Sequence, residues 1–224
     1  MAASANIIAQ SAFVTSGQRC SCARRLIVPD DAWGAQVLEA LAALAGRIVV
    51  GPWDAQPEPF MGPLVRVTAA GNAERFVSGL LNRGGAAIVP FSRDNALVAP
   101  CVVDMTNADE GADEELFGPV LQVWRVKTFD AAVQRANATR FGLSGGLISE
   151  DAALWARVQQ ELRVGVLNWN RPTTGASGAM PFGGPGLSGS ARPSAYYAAD
   201  YCAYPVATQR AEKAVAIPAP GLPQ

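Results

Sequence analysis

Two features bound the chemistry open to this sequence: it has four cysteines and no histidine. Without an imidazole, Ser-His-Asp and Cys-His catalysis are excluded, together with most zinc sites. A nucleophile here must be activated by other means. In Ser16-Gly17-Gln18-Arg19-Cys20-Ser21-Cys22-Ala23-Arg24-Arg25, a Gly-containing turn precedes Cys20 and an apolar strand follows. That setting lets the sulfur face a cleft, with guanidinium groups of Arg19, Arg24 or Arg25 near enough to favour the reactive thiolate. The same cysteines also read as ordinary small core residues. Cys20 and Cys22 are too close in sequence for an ordinary disulfide, and no His cluster suggests a metal.

Two further segments suit a ligand. In Glu114-Glu115-Leu116-Phe117-Gly118-Pro119-Val120, a carboxylate lies just before a buried strand. Ionised, it has only acceptors, which suits a ribose diol, and Phe117 offers a flat face to a heterocycle. A solvated acidic loop with a core aromatic is the competing reading. The glycines of Gly165-Val166-Leu167-Asn168-Trp169-Asn170, Pro181-Phe182-Gly183-Gly184 and Ser188-Gly189 imply close backbone packing or approach to a ligand, against a plain surface loop.

The elements that must position these groups come from an apolar chain. Half of the residues are hydrophobic and 17% are charged, enough for a sizeable core. The net charge of −1, without blocks of like charge, argues against nucleic acid or an anionic membrane as partner. No apolar run approaches the ~18–20 residues of a membrane span. The N-terminus lacks a basic leader, which points to the cytoplasm.

Residues 1–15 read as the end of a helix and Arg25–Val28 as a buried strand. Pro29-Asp30-Asp31 supplies cap chemistry for a helix over about 31–46, whose stripe is Val37, Leu38, Leu41, Leu44 and Ala45. A Pro/Gly-rich loop at 51–63 leads to a helix over 66–83, a strand Ala86–Val89 and an apolar run Val98–Val103. Beyond an acidic loop at 104–115, strands are expected at Val120–Val126, Gly145–Ser149 and Val164–Asn168. Helices are expected at Phe129–Ala138 and Asp151–Leu162. This alternation is the pattern of a parallel α/β sheet. Residues 171–193 form a long Gly/Ser/Pro loop, Tyr196–Ala207 is a candidate terminal strand, and an Ala/Pro-rich tail follows.

The order and spacing of GQRC, EELFGPV and GVLNWN…PFGG…SG resemble the aldehyde dehydrogenase superfamily along nearly the whole sequence. GQRCSCARRL, WDAQPEPFMG, ANATRFGLSGGL, NWNRPTTGAS and RPSAYYAADYCAYPVA resemble the branch that oxidises a succinylated glutamate semialdehyde in arginine catabolism. The resemblance implies an α/β fold with a mostly parallel sheet flanked by helices, of the family's catalytic-domain type. By motif, Cys20 matches the nucleophile, and Glu115 and Phe117 match the pair holding the nicotinamide ribose and ring. Arg19, Arg171 and Ser177 are candidate grips for substrate carboxylates. The implied cofactor is NAD, with NADP not excluded, and the implied substrate is a small aldehyde. The implied domains are a catalytic domain at 1–192, an oligomerisation strand at 193–208 and a flexible tail at 209–224.

The family's cofactor domain, oxyanion-hole asparagine and ELGG glutamate find no counterpart, and no G-x-G-x-x-G or G-x-T-x-x-G stretch is expected. The resemblance therefore implies the C-terminal half of such an enzyme, inactive alone, with a separate N-terminal half-chain as a possible partner. Competing readings are a non-catalytic oligomerisation or binding remnant, and a dehydrogenase of another substrate class.

Overall fold

The computed structural model describes residues 1–223. The chain opens with α1 (Ala2–Phe13) and a single turn, Val14–Gly17, then runs into β1 (Arg25–Pro29) and α2 (Ala32–Ala45). After the Pro/Gly-rich loop come α3 (Val67–Asn82), β2 (Ala86–Val89), the short hairpin strands β3 (Arg93–Asp94) and β4 (Leu97–Val98), β5 (Cys101–Asp104) and β6 (Val120–Val126). The second half holds α4 (Phe129–Asn137), β7 (Ser144–Leu147), α5 (Ala152–Glu161), β8 (Val166–Trp169), β9 (Pro181–Phe182), β10 (Ser194–Ala195) and α6 (Ala198–Tyr201).

The main sheet has the order β1-β6-β5-β2. β6 pairs in parallel with both β1 and β5, and β2 runs antiparallel to β5. The expected mostly parallel α/β sheet is therefore present. Its central strands are apolar on both faces because helices cover both. Successive side chains on a strand alternate between faces, and the core divides accordingly. Val102, Leu121 and Val123 join Phe13, Val37 and Leu41 under α1 and α2. Cys101, Val103 and Val120 join Val77 and Leu80 under α3. Side-chain caps start the helices where the sequence offers them. Asp31 accepts from Gly34 N–H at 2.8 Å, Thr128 from Ala131 N–H at 3.1 Å and Asp151 from Ala153 N–H at 2.7 Å. Each such cap contributes about 1 kcal/mol.

Three expectations change. The apolar run Val98–Val103 divides into β4 and β5 around Pro100, which has no N–H for a ladder. β7 and β8 form their own parallel pair and do not extend the main sheet. Tyr196–Ala207 is not a strand: it holds α6 and irregular backbone. A strand must satisfy its N–H and C=O groups on a neighbour, and the ladder that adjoins this segment in sequence, β9–β10, pairs only two residues. Residues 209–223 are exposed and lack helix or strand, and the last tail residue lies outside the described ones. No helix among the described residues is long and apolar enough to cross a membrane.

A polar lock ties β5 to β6. Asp104 accepts from Thr106 N–H and from Arg125 Nε, each at 2.9 Å, and Thr106 Oγ1 accepts from Arg125 N–H at 2.9 Å. Burial raises the Asp104 pKa, but the Thr106 and Arg125 hydrogen bonds outweigh it and hold the carboxyl below its ordinary 3.8. A depressed folded-state pKa stabilises above the unfolded value and loses that contribution as pH falls through the folded one. Asp104→Asn should therefore cost about 2 kcal/mol at pH 7, and the gap from wild type should close as pH falls below 3.8. Urea denaturation at neutral and acid pH measures both; a gap constant with pH would show that the carboxylate charge is not what holds the lock.

Candidate active site

The segment carrying Cys20 enters β1, and the segment carrying Glu115 and Phe117 enters β6. Because these strands are parallel neighbours, with Arg25 opposite Gln122, both segments meet at one end of the sheet. Their contact is close. Gly17 has φ of +67°, and a Cβ there would lie 2.2 Å from the Gly118 carbonyl oxygen. Only glycine meets both demands.

The turn before Cys20 stores strain. Thr15 and Ser16 also adopt left-handed angles, with φ of 54° and 57°. For a β-branched residue such as Thr15 that conformation costs on the order of 1–3 kcal/mol and persists only where neighbours enforce it. Ser16 Oγ donates to the Gly62 carbonyl at 2.7 Å, and Arg19 Nε donates to Thr15 Oγ1 at 2.8 Å. Gln18 Oε1 accepts from Val65 N–H at 2.8 Å, so the glutamine of GQRC fastens the turn to the 62–65 segment. Its sequence position gave no sign of that role.

Cys20 lies in a β-turn closed by Cys22 N–H donating to the Arg19 carbonyl at 3.0 Å. The residue is exposed, and its N–H donates to no protein acceptor among the described residues. Cys22 is the small core residue of the pair: it is buried and points its thiol at the Val14 carbonyl. Burial pushes the Cys22 thiol up, and burial pushes Cys101 up to about 12, so both stay protonated at neutral pH. Cys202 is exposed beside α6.

Arg24 joins the parts. Its Nη1 donates to the Gly17 carbonyl at 2.7 Å, Nη2 to the Arg19 carbonyl at 3.0 Å and Nε to Glu115 Oε1 at 3.3 Å. The guanidinium carbon also lies 5.1 Å from the centre of the Phe117 ring. Glu115 Oε2 accepts no hydrogen bond among the described residues, and Phe117 is 45% exposed. A carboxylate oxygen with open acceptor sites beside an exposed ring fits a ribose diol and its attached heterocycle. Arg25, which opens β1, is committed elsewhere. It pairs with Asp113 at 2.7 Å, donates to the Ala138 carbonyl and covers Trp124. Of the three guanidinium groups considered for Cys20, Arg25 is excluded.

The candidate substrate grips separate. Arg19 adjoins Cys20 and holds Thr15, and Arg171 is exposed along the groove that Cys20 also lines. Ser177 does not line that groove; its hydroxyl accepts from Ala179 N–H at 3.2 Å within its own loop. Thr173, which the sequence did not single out, joins that loop to the Cys20 turn. Its Oγ1 donates to the Ser21 carbonyl at 2.9 Å, and its own carbonyl accepts from Ser144 Oγ at 2.8 Å.

One glycine run corrects an expectation. Gly184-Pro185-Gly186-Leu187-Ser188-Gly189 does spell G-x-G-x-x-G. It lies between β9 and β10 and opens a three-residue 3-10 turn, whereas a dinucleotide fingerprint opens an α-helix after a parallel strand. Its glycines serve packing instead. A Cβ on Gly184 would lie 2.2 Å from the Gly142 carbonyl, and one on Gly186 would lie 2.2 Å from the Arg140 carbonyl.

The parallel α/β sheet thus presents an exposed cysteine on a turn that Arg24 ties to a carboxylate and an aromatic ring. A model of the aldehyde dehydrogenase family matches residues 1–205, and the chain belongs to that family. It is 57% identical to N-succinylglutamate 5-semialdehyde dehydrogenase 2 of Caulobacter vibrioides, over 94% of this chain and 44% of that protein. It is 50% identical to the N-succinylglutamate 5-semialdehyde dehydrogenase of Paraburkholderia xenovorans, over 89% of this chain and 42% of that protein. The chain thus spans less than half the length of these curated relatives. Among solved structures it resembles the 1-pyrroline-5-carboxylate dehydrogenase from Thermus with bound NAD (TM-score 0.74, 35% identity, 84% of this chain and 37% of that one). It also resembles aldehyde dehydrogenase 21 from Physcomitrella patens in complex with succinate (TM-score 0.81, 25% identity, 88% and 41%).

Two outcomes check this geometry. In the native protein, Ellman's reagent should modify Cys20 and Cys202 promptly, and Cys22 and Cys101 only after unfolding. Prompt reaction of Cys22 would mean the turn is built differently. Gly17→Ala should cost about 2–4 kcal/mol in denaturation, because backbone has to move and the left-handed angle is penalised. A variant as stable as wild type would rule out the Gly17–Gly118 contact.

Proposed function

We propose that this chain is the cysteine-bearing portion of an NAD(P)-dependent aldehyde dehydrogenase that oxidises N-succinylglutamate 5-semialdehyde to its acid. The observation carrying this reading is the exposed Cys20 tied through Arg24 to Glu115 and Phe117, in a chain of this family. The substrate is inferred from the relatives' activity.

In this reading the Cys20 thiolate adds to the aldehyde carbon, forming a C–S bond and a thiohemiacetal oxyanion. The Cys20 N–H, which has no protein acceptor among the described residues, is available to hold that oxyanion. Glu115, with Oε2 open, would hold the ribose hydroxyls of the cofactor, and Phe117 would carry its ring. When bound, the nicotinamide accepts the hydride that leaves the substrate carbon. Cys20 is then a thioester, which water cleaves to release the acid and restore the thiol. In this reading both Glu115 oxygens are committed, Oε1 to Arg24 and Oε2 to the ribose, so the base for that water is not Glu115. The base and most cofactor contacts are accordingly assigned to the part of the relatives that this chain does not span, supplied by a separate half-chain or by further sequence. Arg19 and Arg171 are the cationic groups available for the substrate's carboxylates, with Ser177 following on the 171–180 loop. Tyr201–Ala207 is assigned to subunit contact.

The test is co-expression with the N-terminal portion of the Caulobacter relative, followed by NADH formation from the semialdehyde. The pair should be active, Cys20→Ser should lower its rate about a thousandfold or more, and the 224-residue chain alone should be silent. NADH formation by the chain alone, or a folded pair that forms none, would defeat the proposal. Arg171→Gln in the active pair should raise KM for the semialdehyde; an unchanged KM removes Arg171 from substrate binding.

A further inference from the structure

We infer that Arg24 is a positioning residue that couples the nucleophile's turn to the cofactor clamp, a role that rests on the assignment of Cys20, Glu115 and Phe117 above. Three features support it. First, one rigid guanidinium fork reaches both halves of the site. Two of its nitrogens hold the carbonyls of Gly17 and Arg19, on the turn that presents Cys20, while Nε holds Glu115 and the plane covers Phe117. Second, the side chain is shielded, with 15% of Arg24 exposed and 26% of Glu115. Arg24 is therefore part of the packing between the two segments and is no loose surface cation. Third, the contacts divide Glu115 by oxygen. Oε1 faces Arg24 while Oε2 has open acceptor sites, so the fork can steer the carboxylate without filling it.

The consequence is a fixed distance between the sulfur and whatever Glu115 and Phe117 bind. Hydride transfer depends on such distances, and a misplacement near 1 Å can cost on the order of a hundredfold in rate. Lysine cannot replace this arginine. Its ammonium is a point charge on a flexible stem and cannot span two carbonyls, a carboxylate and a ring together.

The experiment compares wild type, Arg24→Gln and Arg24→Lys in two settings. In the full chain without cofactor, amide hydrogen exchange should rise in residues 17–22 and 116–118 together in both variants. In the active pair with the relative's N-terminal portion, kcat should fall about 10- to 100-fold. KM for NAD should rise roughly two- to fivefold, and KM for the semialdehyde should stay within about twofold. Exchange rising in one segment alone, or Arg24→Lys restoring kcat, would overturn the coupling. If the wild-type pair makes no NADH, the functional assignment fails while the exchange measurement still judges the link between segments. If NADH forms and Arg24→Gln keeps wild-type kcat and exchange, the coupling fails alone. Should Arg24→Gln not fold, Arg24→Lys, which retains the charge, carries the same comparison.

Discussion

The site depends on the backbone-to-backbone contact of Gly17 with Gly118. Parallel pairing of β1 with β6 brings their entry segments to one end of the sheet, but it does not decide how closely they approach. The glycine contact decides that, since any side chain at position 17 would occupy the space of the Gly118 carbonyl. Arg24 then fills the remaining gap with directional bonds. The left-handed turn at Thr15–Gly17 is the conformational cost of this approach, and hydrogen bonds to Gly62 and Val65 offset it.

The core is arranged to hold that end of the sheet still. Both faces of β5 and β6 are buried, one under α1 and α2 and the other under α3. The region after β6 is different. Beyond Val123, Val158 is the one buried hydrophobic side chain among the described residues. The β7–β8 pair is instead held by polar links, such as Asn168 to the Gly145 carbonyl and Ser144 to the Thr173 carbonyl. Rigid placement of Cys20 thus belongs to the first half. The loop that carries Arg171 reaches it chiefly through Thr173, whose N–H and Oγ1 bond Ser11 and Ser21.

Much of this was legible in the sequence because the signals were local. The cap expected from Pro29-Asp30-Asp31 is supplied by Asp31, and the apolar runs at 98–103 and 120–126 carry the buried parallel strands β5 and β6. The motif series located Cys20, Glu115 and Phe117, and the structure links them. What stayed hidden was long-range. Nothing near Gln18 hints at Val65, and nothing near Thr173 hints at Ser21. Arg24 and Arg25 look equivalent in sequence. Arg24 precedes β1 and bonds the Cys20 turn, whereas Arg25 opens β1, pairs with Asp113 and covers Trp124. Tyr196–Ala207 misled for a related reason: an apolar aromatic run has strand propensity, but propensity supplies no neighbouring edge.

The contrast between Cys20 and Cys22 shows how one turn makes one thiol available and the other inert. Two residues separate their burial almost completely, because the bond from Cys22 N–H to the Arg19 carbonyl reverses the chain between them. Cys22 is left in an apolar setting that raises its pKa, where the thiolate is disfavoured. Cys20 keeps its N–H and its sulfur on the open side, with a neighbouring carboxylate restrained by a guanidinium. Placement of Cys20 is thus built into these residues. Among the described residues the carboxylate tied to this turn through Arg24 is that of Glu115, whose Oε1 faces the guanidinium while Oε2 stays open. Under the proposed function, this division leaves the geometry and the nucleophile to these residues and the hydrolytic base to another surface.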